Sequence, residues 1–527
     1  MTDTTRTSEE VTAPVVRTPT APDHAATKWW TLVAVCLGTF MLLLDVTIVN
    51  VALPNIQTDL GASFADLQWV IDAYALSLAA LLLTAGSIAD LFGRKRLYVI
   101  GLGVFTAASL LCGIAGDPLL LQLSRGLQGV GGAVMFAVSL ALLADAFRGK
   151  DRGTAFGIWG AVTGLAVAVG PLVGGALVSG LSWRWIFFVN LPVGLLAIGL
   201  TVRTVAESRS PQARRPDWVG FVLFSTALAS LVYGLIESNQ AGFASAKVWG
   251  SLLTAAVLLA AFVVAEARGA HPMLDLNLFR LPTFSGGATA SFGISASIFS
   301  MLLYLTLYLQ DVLGYTALQT GLRLLVLSGG ILVTSTIAGR LSTKVPVRWL
   351  IGPGLLLVGV GLLLMRGLDA GSTWVHLVPG LIAAGIGVGM INPPLASTAV
   401  GVVRPQQAGM ASGISSTFRQ VGIATGIALL GTLFANQVSS YVSDHLAQIP
   451  DLAGRGDQLS TAIQSGGAGK VLAAVPPQTR AAVTELTTTA FTTGLNFILL
   501  IAALVAIAAG VVSLITIRTK DFVQQHG

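Results

Sequence analysis

Charged side chains are scarce in this sequence: Asp, Glu, Lys and Arg make up 10% of its 527 residues, against about 25% in typical soluble domains. Apolar side chains account for 54%, and the mean hydropathy is +0.80. A chain with so few charges cannot cover itself with a water-compatible surface, and no polar stretch is long enough to form a soluble domain. The composition therefore predicts helices embedded in a membrane.

Cysteine and histidine are also scarce. The two cysteines, Cys36 and Cys112, lie inside apolar runs, which argues against a disulfide framework and against a metal site. The five histidines fall in loops, in tails or at a helix edge, so a proton relay built on histidine is not expected. We expect neither a metal nor a cofactor.

Motifs of enzymes and ATPases are missing as well. The chain has no clustered metal-ligand spacing and no nucleophile with a matching base. SGGAGKV at 465–471 comes nearest to a phosphate-binding loop, but Gln464 stands where the first glycine belongs and Val471 where Ser or Thr belongs. The net charge of +6 comes mostly from short clusters between apolar runs, which fits membrane topology better than nucleic-acid binding. The sequence predicts neither an enzyme nor ATP drive.

Apolar runs of about 20 residues, the length that crosses about 30 Å of hydrocarbon, recur from end to end. Fourteen transmembrane helices are predicted, at residues 29–51, 67–91, 97–115, 118–144, 153–179, 184–203, 217–237, 247–267, 283–310, 319–341, 347–366, 374–400, 406–436 and 487–517. The expected fold class is an all-α integral membrane protein.

These helices group as six, two and six. The predicted parts are a disordered tail at 1–28, an N-terminal six-helix bundle at 29–203, a linker with two extra helices at 204–280, a C-terminal six-helix bundle at 281–518 with a long outer loop at 437–486, and a tail at 519–527. GSIADLFGRKRL at 86–97 has a degenerate counterpart in GRLSTKVPVRWL at 339–350, each after the second helix of its six. Many transporters build two alternately open states from paired halves of this kind.

The distribution of Lys and Arg predicts the orientation. The N-terminal tail and the loops on its side hold 21 basic residues, the opposite loops hold five, and four lie in or at the ends of spans. Because cytoplasmic loops carry the excess of Lys and Arg, both termini are predicted to be cytoplasmic.

Three charged residues lie inside the predicted spans near their outer ends: Asp45, Asp72 and Arg125. At about 1.5 Å per residue, all three fall roughly 8 to 10 Å below the outer boundary, in one layer. A charge at such a depth costs about 2.5 to 3.5 kcal/mol and is usually functional. Two carboxylates in one low-dielectric layer favour holding a proton near neutral pH, the chemistry of a proton-coupled carrier. Two alternatives remain open: Asp45 and Arg125 form a fixed structural pair, and Asp72 is simply hydrated.

Two segments predict moving parts. GIWGAVTGLAVAVGPLVGGALVSG, in the fifth span, concentrates small residues around Pro171, which predicts either tight packing or a helix that slides and flexes against a neighbour. Just before GRKRLY at 93–98, Asp90 stands at the cytoplasmic end of the second span, close to three cations. Asp90 can bridge to a neighbouring helix end or loop and hold the inner side shut. The three cations, in contrast, could reflect only the excess of Lys and Arg that cytoplasmic loops carry. The candidate gating residues are Gly86, Asp90, Gly93, Arg94, Gly170, Pro171, Gly174 and Gly175.

The motifs in their order resemble the major facilitator superfamily, specifically its fourteen-helix drug:proton antiporter branch, over about residues 29 to 518. The segments that carry the resemblance are LDVTIVNVALP at 44–54, GSIADLFGRKR at 86–96, RGLQGVGGA at 125–133, GPLVGG at 170–175 with SWRWIFFVNLP at 182–192, YLQDVLGYTALQTG at 308–321 and GMASGISSTFRQVG at 409–422. Two features depart from the pattern: Ala166 replaces a glycine, and a proline expected soon after Gly321 is missing from RLLVLSGG. Asp72 occurs in some members of the branch only, so the resemblance implies no role for it.

The resemblance implies a fold of two six-helix bundles with two inserted helices, proton transfer at Arg125 and export, not uptake. The resulting hypothesis is that Asp45 is neutral while one face is open and ionised against Arg125 while the other is, so that inward proton flow drives outward substrate flow. The expected substrates are antibiotics, dyes or a self-made toxic metabolite, carried across the inner membrane of a bacterium. The predicted partners are a bulky amphipathic or cationic small molecule, protons and membrane lipids, without nucleic acid or ATP.

Several alternatives stay open at this stage: a proton-driven uptake symporter, a dedicated exporter of one metabolite or lipid, and a membrane enzyme or receptor built on the same bundle. The helix 5 pattern argues against uptake. The candidate lining residues of a central cavity, which could equally be packing residues or interface anchors, are Asn50, Trp69, Tyr74, Gln128, Phe136, Tyr304, Tyr308 and Arg419.

Overall fold

The computed structural model describes residues 24–147, 149–209, 216–242, 245–269, 272–342, 344–403, 408–446, 456–464 and 479–522. Within them, fourteen long helices correspond one to one to the predicted spans: α1 His24–Leu60, α2 Phe64–Phe92, α3 Arg94–Gly113, α4 Pro118–Ala146, α5 Gly149–Gly180, α6 Trp185–Thr204, α7 Trp218–Ala241, α8 Ala246–Arg268, α9 Pro282–Val312, α10 Ala317–Leu341, α11 Arg348–Leu364, α12 Val378–Gly401, α13 Ala408–Leu446 and α14 Arg480–Thr516. No strand occurs in this described part of the chain. The predicted all-α class is confirmed.

Twelve of these helices are long and apolar enough to cross a membrane as single spans. The fifth helix, α5, consists of two apolar segments, Ile158–Ala166 and Val169–Gly180, that meet at an angle of 42°. The remaining one, α11, is apolar but has only 17 residues. The chain is therefore a multi-pass membrane protein.

Several helices extend beyond the bounds predicted from hydropathy. α1 continues to Leu60 instead of residue 51, and α13 continues to Leu446 instead of residue 436. α14 begins at Arg480 instead of residue 487, and a short helix, Gly456–Gln464, lies within the segment predicted as an outer loop. The bounds differ because apolar runs end at the hydrocarbon boundary, whereas a helix keeps its backbone hydrogen bonds beyond it.

We call the side on which α1 begins the inner side and the opposite side the outer side. Helices α1 to α6 pack on one another, with α4 between α2 and α3, and α1 against α5 and α6. Helices α9 to α14 form a second group, in which α12 packs between α10 and α11 and α14 contacts α9, α11 and α13. We refer to these groups as the N-terminal and C-terminal halves.

The two halves meet along two lines of contact. α5 packs against α10, and α2 packs against α13. The inserted helix α7 lies beside the second line, where it contacts both α2 and α13, and α8 packs on α7 with much of its own surface exposed.

The contacts between the halves concentrate toward the outer side. Gln310 of α9 donates from Nε2 to Val51 O of α1 at 2.8 Å, and Gln68 of α2 donates to Ile427 O of α13 at 3.1 Å. The backbone N–H of Leu318 donates to the hydroxyl of Ser179 at 2.9 Å. Among the described residues, the innermost hydrogen bond between the halves is the 3.5 Å contact of Thr417 Oγ1 with Ala79 O, near the middle of α2. The structure is therefore closed on the outer side.

Candidate functional site

The centre of the candidate site is an ion pair between α1 and α4. α4 begins at Pro118 because the carboxylate of Asp117 caps it, accepting a hydrogen bond from Leu120 N at 2.9 Å, and this start places Arg125 two turns into the bundle. Nη1 of Arg125 lies 2.5 Å from Oδ2 of Asp45, and the two side chains are 2% and 0% exposed. The predicted layer thus brings these two residues into direct contact.

Two amide side chains complete the surroundings of the Asp45 carboxylate. Gln128 donates from Nε2 to Oδ1 at 2.8 Å, and Asn190 of α6 donates to the same oxygen at 3.1 Å. Both amides also donate to the hydroxyl oxygen of Ser109, at 2.9 and 3.3 Å. Asp45 therefore accepts three hydrogen bonds, one of them charge-assisted, as an ionised carboxylate does.

The guanidinium of Arg125 is equally well held. Its Nε donates to Val70 O at 3.1 Å and its Nη1 to Gln128 Oε1 at 2.6 Å. The ring of Tyr74 lies 4.2 Å from its central carbon and the ring of Phe187 5.9 Å, distances at which an aromatic face attracts a cation. Removing either member of such a buried pair would leave the other charge buried without a partner. The free energy of unfolding would fall by about 3 to 5 kcal/mol.

Asn190 and Ser109 belong to this network although sequence analysis does not find them. A signal for Asn190 exists, because it is the only polar side chain in WIFFVNLPVGLL at 185–196. Ser109 gives none, since a small hydroxyl in an apolar helix commonly bonds its own backbone, as Ser109 does with Phe105 O at 2.9 Å.

Asp72 lies on the opposite face of α2 from the ion pair. It is fully buried, and neither of its carboxyl oxygens has a hydrogen-bond partner among the described residues. One turn away, Gln68 bonds Ile427 O of α13, which also accepts the hydroxyl of Tyr304 at 2.8 Å. Asp72 therefore lies at the contact between the halves, and an ionised carboxylate without a partner is costly there.

A narrow cavity separates the halves on the inner side of these contacts. Its lining is mostly apolar with a few polar groups, and consists of Thr47, Asn50, Val51, Pro171, Phe299, Leu302, Leu324, Leu327, Ser328 and Ile331. Such a lining suits an amphipathic small molecule, but the cavity has a volume of only about 20 Å³ in this conformation and must widen to admit one. Of the predicted lining residues, Asn50 lies in this wall, and Arg419 lies next to it, 5.8 Å from the ring of Phe299.

The other predicted lining residues pack elsewhere in this conformation. Tyr304 and Tyr308 are fully buried, in ring contact with Phe434 at 5.7 Å and Phe491 at 6.3 Å. Tyr74 and Gln128 belong to the ion-pair network. Trp69 packs at the contact of α2, α7 and α13, and Phe136 contacts the ring of Trp159 at 6.1 Å. Sequence pattern places such residues in a span but does not show which way they point.

Salt bridges connect the inner ends of α2, α3 and α4. Nη2 of Arg94 lies 2.8 Å from Oδ1 of Asp90, and its Nη1 lies 2.5 Å from Oδ2 of Asp145 at the end of α4. The backbone N–H groups of Lys95 and Arg96 donate to the carboxylate of Glu207 at 3.0 and 3.1 Å, which caps α3. Asp90, Arg94 and Asp145 belong to the N-terminal half, and Glu207 lies just after its last helix, so the described contacts stabilise that half from the inner side.

Gly93 allows this cap to form. Its φ of +114° is a conformation that favours glycine, and a Cβ there would lie 2.7 Å from Oε1 of Glu207. At Gly86, in contrast, a Cβ would meet no atom within 4 Å, so packing in this structure does not require that glycine.

We expect Gly93→Ala to lower the thermal unfolding midpoint of the purified protein, because backbone strain of about 1 to 3 kcal/mol adds to the displacement of Glu207. The matched control is Gly103→Ala in α3, where a Cβ meets nothing within 4 Å and a helical alanine is worth about 0.5 to 1 kcal/mol over glycine. Equal midpoints for the two variants would contradict this account of the cap.

The small residues of α5 bring it close to two neighbours. A Cβ at Gly170 would collide with Thr47 of α1, and one at Gly174 would lie 2.7 Å from Cγ1 of Ile48. Gly175 faces the other half, where a Cβ would lie 2.6 Å from Ala317 O of α10. Pro171 is part of the same contact, since its carbonyl lies against Gly321 of α10. α5 thus packs on its own half with one face and closes the outer side with another.

Comparison with known proteins identifies the family. A model of the Major Facilitator Superfamily matches residues 35–427. The chain belongs to this superfamily. The multidrug resistance protein Stp of Mycobacterium tuberculosis is 40% identical over 81% of this chain and 79% of its own length. The tetracenomycin C resistance and export protein of Streptomyces glaucescens is 33% identical over 93% and 92%.

The puromycin resistance protein of Streptomyces alboniger is 38% identical over 79% of this chain and 84% of its own length. Among solved structures, a bacterial homolog of the human lysosomal transporter Spinster, in an inward-facing and unoccupied conformation, matches with a TM-score of 0.62 at 17% identity, over 95% of this chain and 99% of that one. The fold is that of the superfamily, and the relatives confirm the resemblance to its drug-efflux branch. Two of these names state transport: the tetracenomycin C protein is named an export protein, and the Spinster homolog is named for a transporter.

Proposed function

We propose that the protein is a proton-coupled antiporter that exports drugs, antibiotics or toxic amphipathic metabolites across the cytoplasmic membrane of a bacterium, with both termini in the cytoplasm. The observation that carries the proposal is the fully buried Asp45–Arg125 pair beneath an outer side that is closed. The relatives named for multidrug, puromycin and tetracenomycin C resistance support export of small molecules. The excess of basic residues on the inner side supports the orientation.

In the outer-closed conformation the substrate enters from the cytoplasm. The cavity beside Asn50 and Phe299 lies on the inner side of the contacts between the halves, so a substrate approaches it from the inner side. Asp45 is ionised in this conformation, because Arg125, Gln128 and Asn190 all donate to it. Its proton has already left, and the carrier is ready to take up substrate.

Opening of the outer side then exposes the network to the external solution. Separation of α5 from α10 and of α2 from α13 admits water and protons toward α1. A proton on Asp45 cancels its attraction for Arg125. When the outer side closes again, the network of donors re-forms around an ionised carboxylate and the proton leaves inward. Each cycle thus exchanges substrate for protons in opposite directions.

The proton gradient supplies enough energy for this exchange. One charge crossing 100 mV releases about 2.3 kcal/mol, and about 1.4 kcal/mol corresponds to a tenfold gradient. One-for-one exchange therefore sustains a gradient of about fiftyfold for an uncharged substrate before any pH difference is added. No ATP is required.

The test uses everted membrane vesicles with an acidic lumen and a panel that begins with puromycin and tetracenomycin C. We expect accumulation in the lumen that depends on the proton gradient and survives ATP depletion. Accumulation that needs ATP at an unchanged proton gradient would contradict the coupling. Loss of compound from preloaded vesicles as the gradient is applied would indicate uptake into the cell instead of export.

We further propose that Asp72 is protonated while the outer side is closed, and that its ionisation assists outer opening. Asp72→Asn should leave the thermal midpoint within a few degrees of wild type, because the carboxyl has no partner to lose. It should slow export about tenfold, because asparagine cannot ionise. The contrasting variant is Asp45→Asn, which leaves Arg125 buried without its carboxylate partner. Its free energy of unfolding should fall by about 3 to 5 kcal/mol. If Asp72→Asn unfolds as readily as Asp45→Asn, Asp72 is an ionised structural group and this role is wrong.

A further inference from the structure

The charges near the middle of the bundle differ in their exposure. Asp45, Arg125 and Asp72 are 0%, 1% and 0% exposed. Arg419 of α13 is only half-buried, although it lies eleven residues inside its helix, about 16 Å from the inner end. Of these four groups, Arg419 is the one that keeps partly accessible surface.

Arg419 lies beside the cavity between the halves. It shares a helix face with Ser415 and Gly422, and this face packs on α9: the hydroxyls of Ser415 and Ser291 lie 2.8 Å apart, and Gly422 lies against the backbone of Phe292. The guanidinium carbon lies 5.8 Å from the ring of Phe299, which lines the cavity. The cation therefore stands at the edge of the cavity, beside an aromatic wall.

No carboxylate neutralises this cation. Within the described part of the chain, no Asp or Glu oxygen lies within 4.0 Å of its guanidinium, and no hydrogen bond engages it. A guanidinium carries five N–H donors in a planar fork that matches a carboxylate or a similar oxyanion. An unpaired ionisable group at this depth is a functional group by default, and the hydrogen-bonding capacity of Arg419 is unused.

The carboxylates nearby are not available to attract a cationic substrate. Asp45 already accepts from Arg125, Gln128 and Asn190, so its charge is neutralised and its oxygens are occupied. Asp72 is buried at the contact of α2 with α13, and ionising its carboxyl there is costly because it has no hydrogen-bond partner among the described residues. Of the four charges compared, the one left uncompensated near the cavity in the outer-closed conformation is therefore the cation of Arg419.

We infer that the preferred substrates are amphipathic aromatic compounds that carry an acidic oxygen, such as a carboxylate or a phenolate, and that Arg419 binds this oxygen while the apolar wall holds the ring system. The inference rests on the proposed export function and replaces the expectation of a cationic substrate. Phe299 supplies an aromatic face, and Leu302, Leu324 and Leu327 supply apolar surface.

Three probes with the same apolar body test this inference: pyrenebutyrate, pyrenebutanol and (pyrenebutyl)trimethylammonium, which are anionic, neutral and cationic. Accumulation is measured by pyrene fluorescence in everted vesicles with an acidic lumen. A weak acid does not concentrate passively in an acidic lumen, so accumulation of pyrenebutyrate reports on the carrier. We expect wild type to export pyrenebutyrate in preference to the cation.

Arg419→Gln should reduce export of pyrenebutyrate at least tenfold and leave the cation unchanged or favoured, whereas Arg419→Lys, which keeps the charge, should retain part of the activity. Arg280→Gln, at an exposed position of the inner loop before α9, is the matched control and should leave all three probes unchanged. Preference for the cation in wild type, or equal export of pyrenebutyrate by wild type and Arg419→Gln, would overturn the inference.

If no probe is exported in a gradient-dependent way, the result counts against the proposed function. The inference is then decided by equilibrium binding of the same probes to the purified protein. Tighter binding of pyrenebutyrate than of the cation, weakened at least tenfold by Arg419→Gln, would support it. Equal binding, or binding that this variant does not change, would overturn it.

Discussion

Replacing Asp45 by asparagine is expected to abolish gradient-driven export. With one proton exchanged per molecule of an uncharged substrate, wild type should hold a substrate gradient of about fiftyfold at 100 mV. Asparagine can neither gain nor lose a proton, so the accumulation ratio in everted vesicles should fall to about one and stop responding to an imposed pH gradient. Exchange of labelled for unlabelled substrate, which needs no proton, should persist.

Two further variants separate coupling from stability. Asp45→Asn leaves the buried Arg125 without its partner. The double variant, Asp45→Asn with Arg125→Gln, removes both charges. It should recover much of the lost thermal stability but should not recover coupling. The matched control is Asp151→Asn, which removes the partner of Lys28 at 2.7 Å in a partly exposed pair worth at most about 1 kcal/mol. Accumulation by Asp45→Asn that still follows the pH gradient would exclude Asp45 as the coupling residue.

Gly175→Leu is expected to prevent closure of the outer side. A Cβ at this position would lie 2.6 Å from Ala317 O and 2.8 Å from Cα of Leu318, and both are backbone atoms of the other half that cannot move aside without moving α10. The variant should therefore remain open outward and lose at least nine-tenths of its export. Gly180→Leu on the same helix, where a Cβ meets nothing within 4 Å, should transport normally.

Accessibility of the cavity measures the same effect directly. Ser328 lines the cavity and is buried in the outer-closed structure. In a background where Cys36 and Cys112 are replaced by alanine, Ser328→Cys should resist a membrane-impermeant thiol reagent applied from outside. It should react at least tenfold faster when Gly175→Leu is added. Unchanged labelling together with normal export would show that the contact of α5 with α10 does not control the outer side.

The parts of the structure that the sequence predicts well are those set by the thickness of the membrane. Apolar length gives the number of helices, and depth along a helix brings Asp45 and Arg125 to one level, where they meet. Helix ends are predicted less well, because α1 and α13 continue past the hydrocarbon as hydrogen-bonded helix. Hydropathy does not register that continuation.

Depth alone does not give the direction in which a side chain points. Val70 and Tyr74 contact Arg125, whereas Gln68 and Asp72, on the opposite face of α2, lie at the contact with α13. The sequence therefore groups Asp72 with Asp45 by depth, although the two carboxylates face different neighbours. The sequence does not predict the contact of Asn190 with Asp45 either, because this contact depends on how α6 packs beside α1.

The most direct test of proton–substrate exchange is to follow the pH gradient itself while substrate moves. Everted vesicles that contain the protein are given an acidic lumen, reported by a pH-sensitive dye, and a compound that the protein accumulates is then added outside. The account predicts that the compound dissipates part of the gradient as it enters, in wild type but not in Asp45→Asn. Accumulation of the compound by wild type without any movement of protons would contradict it.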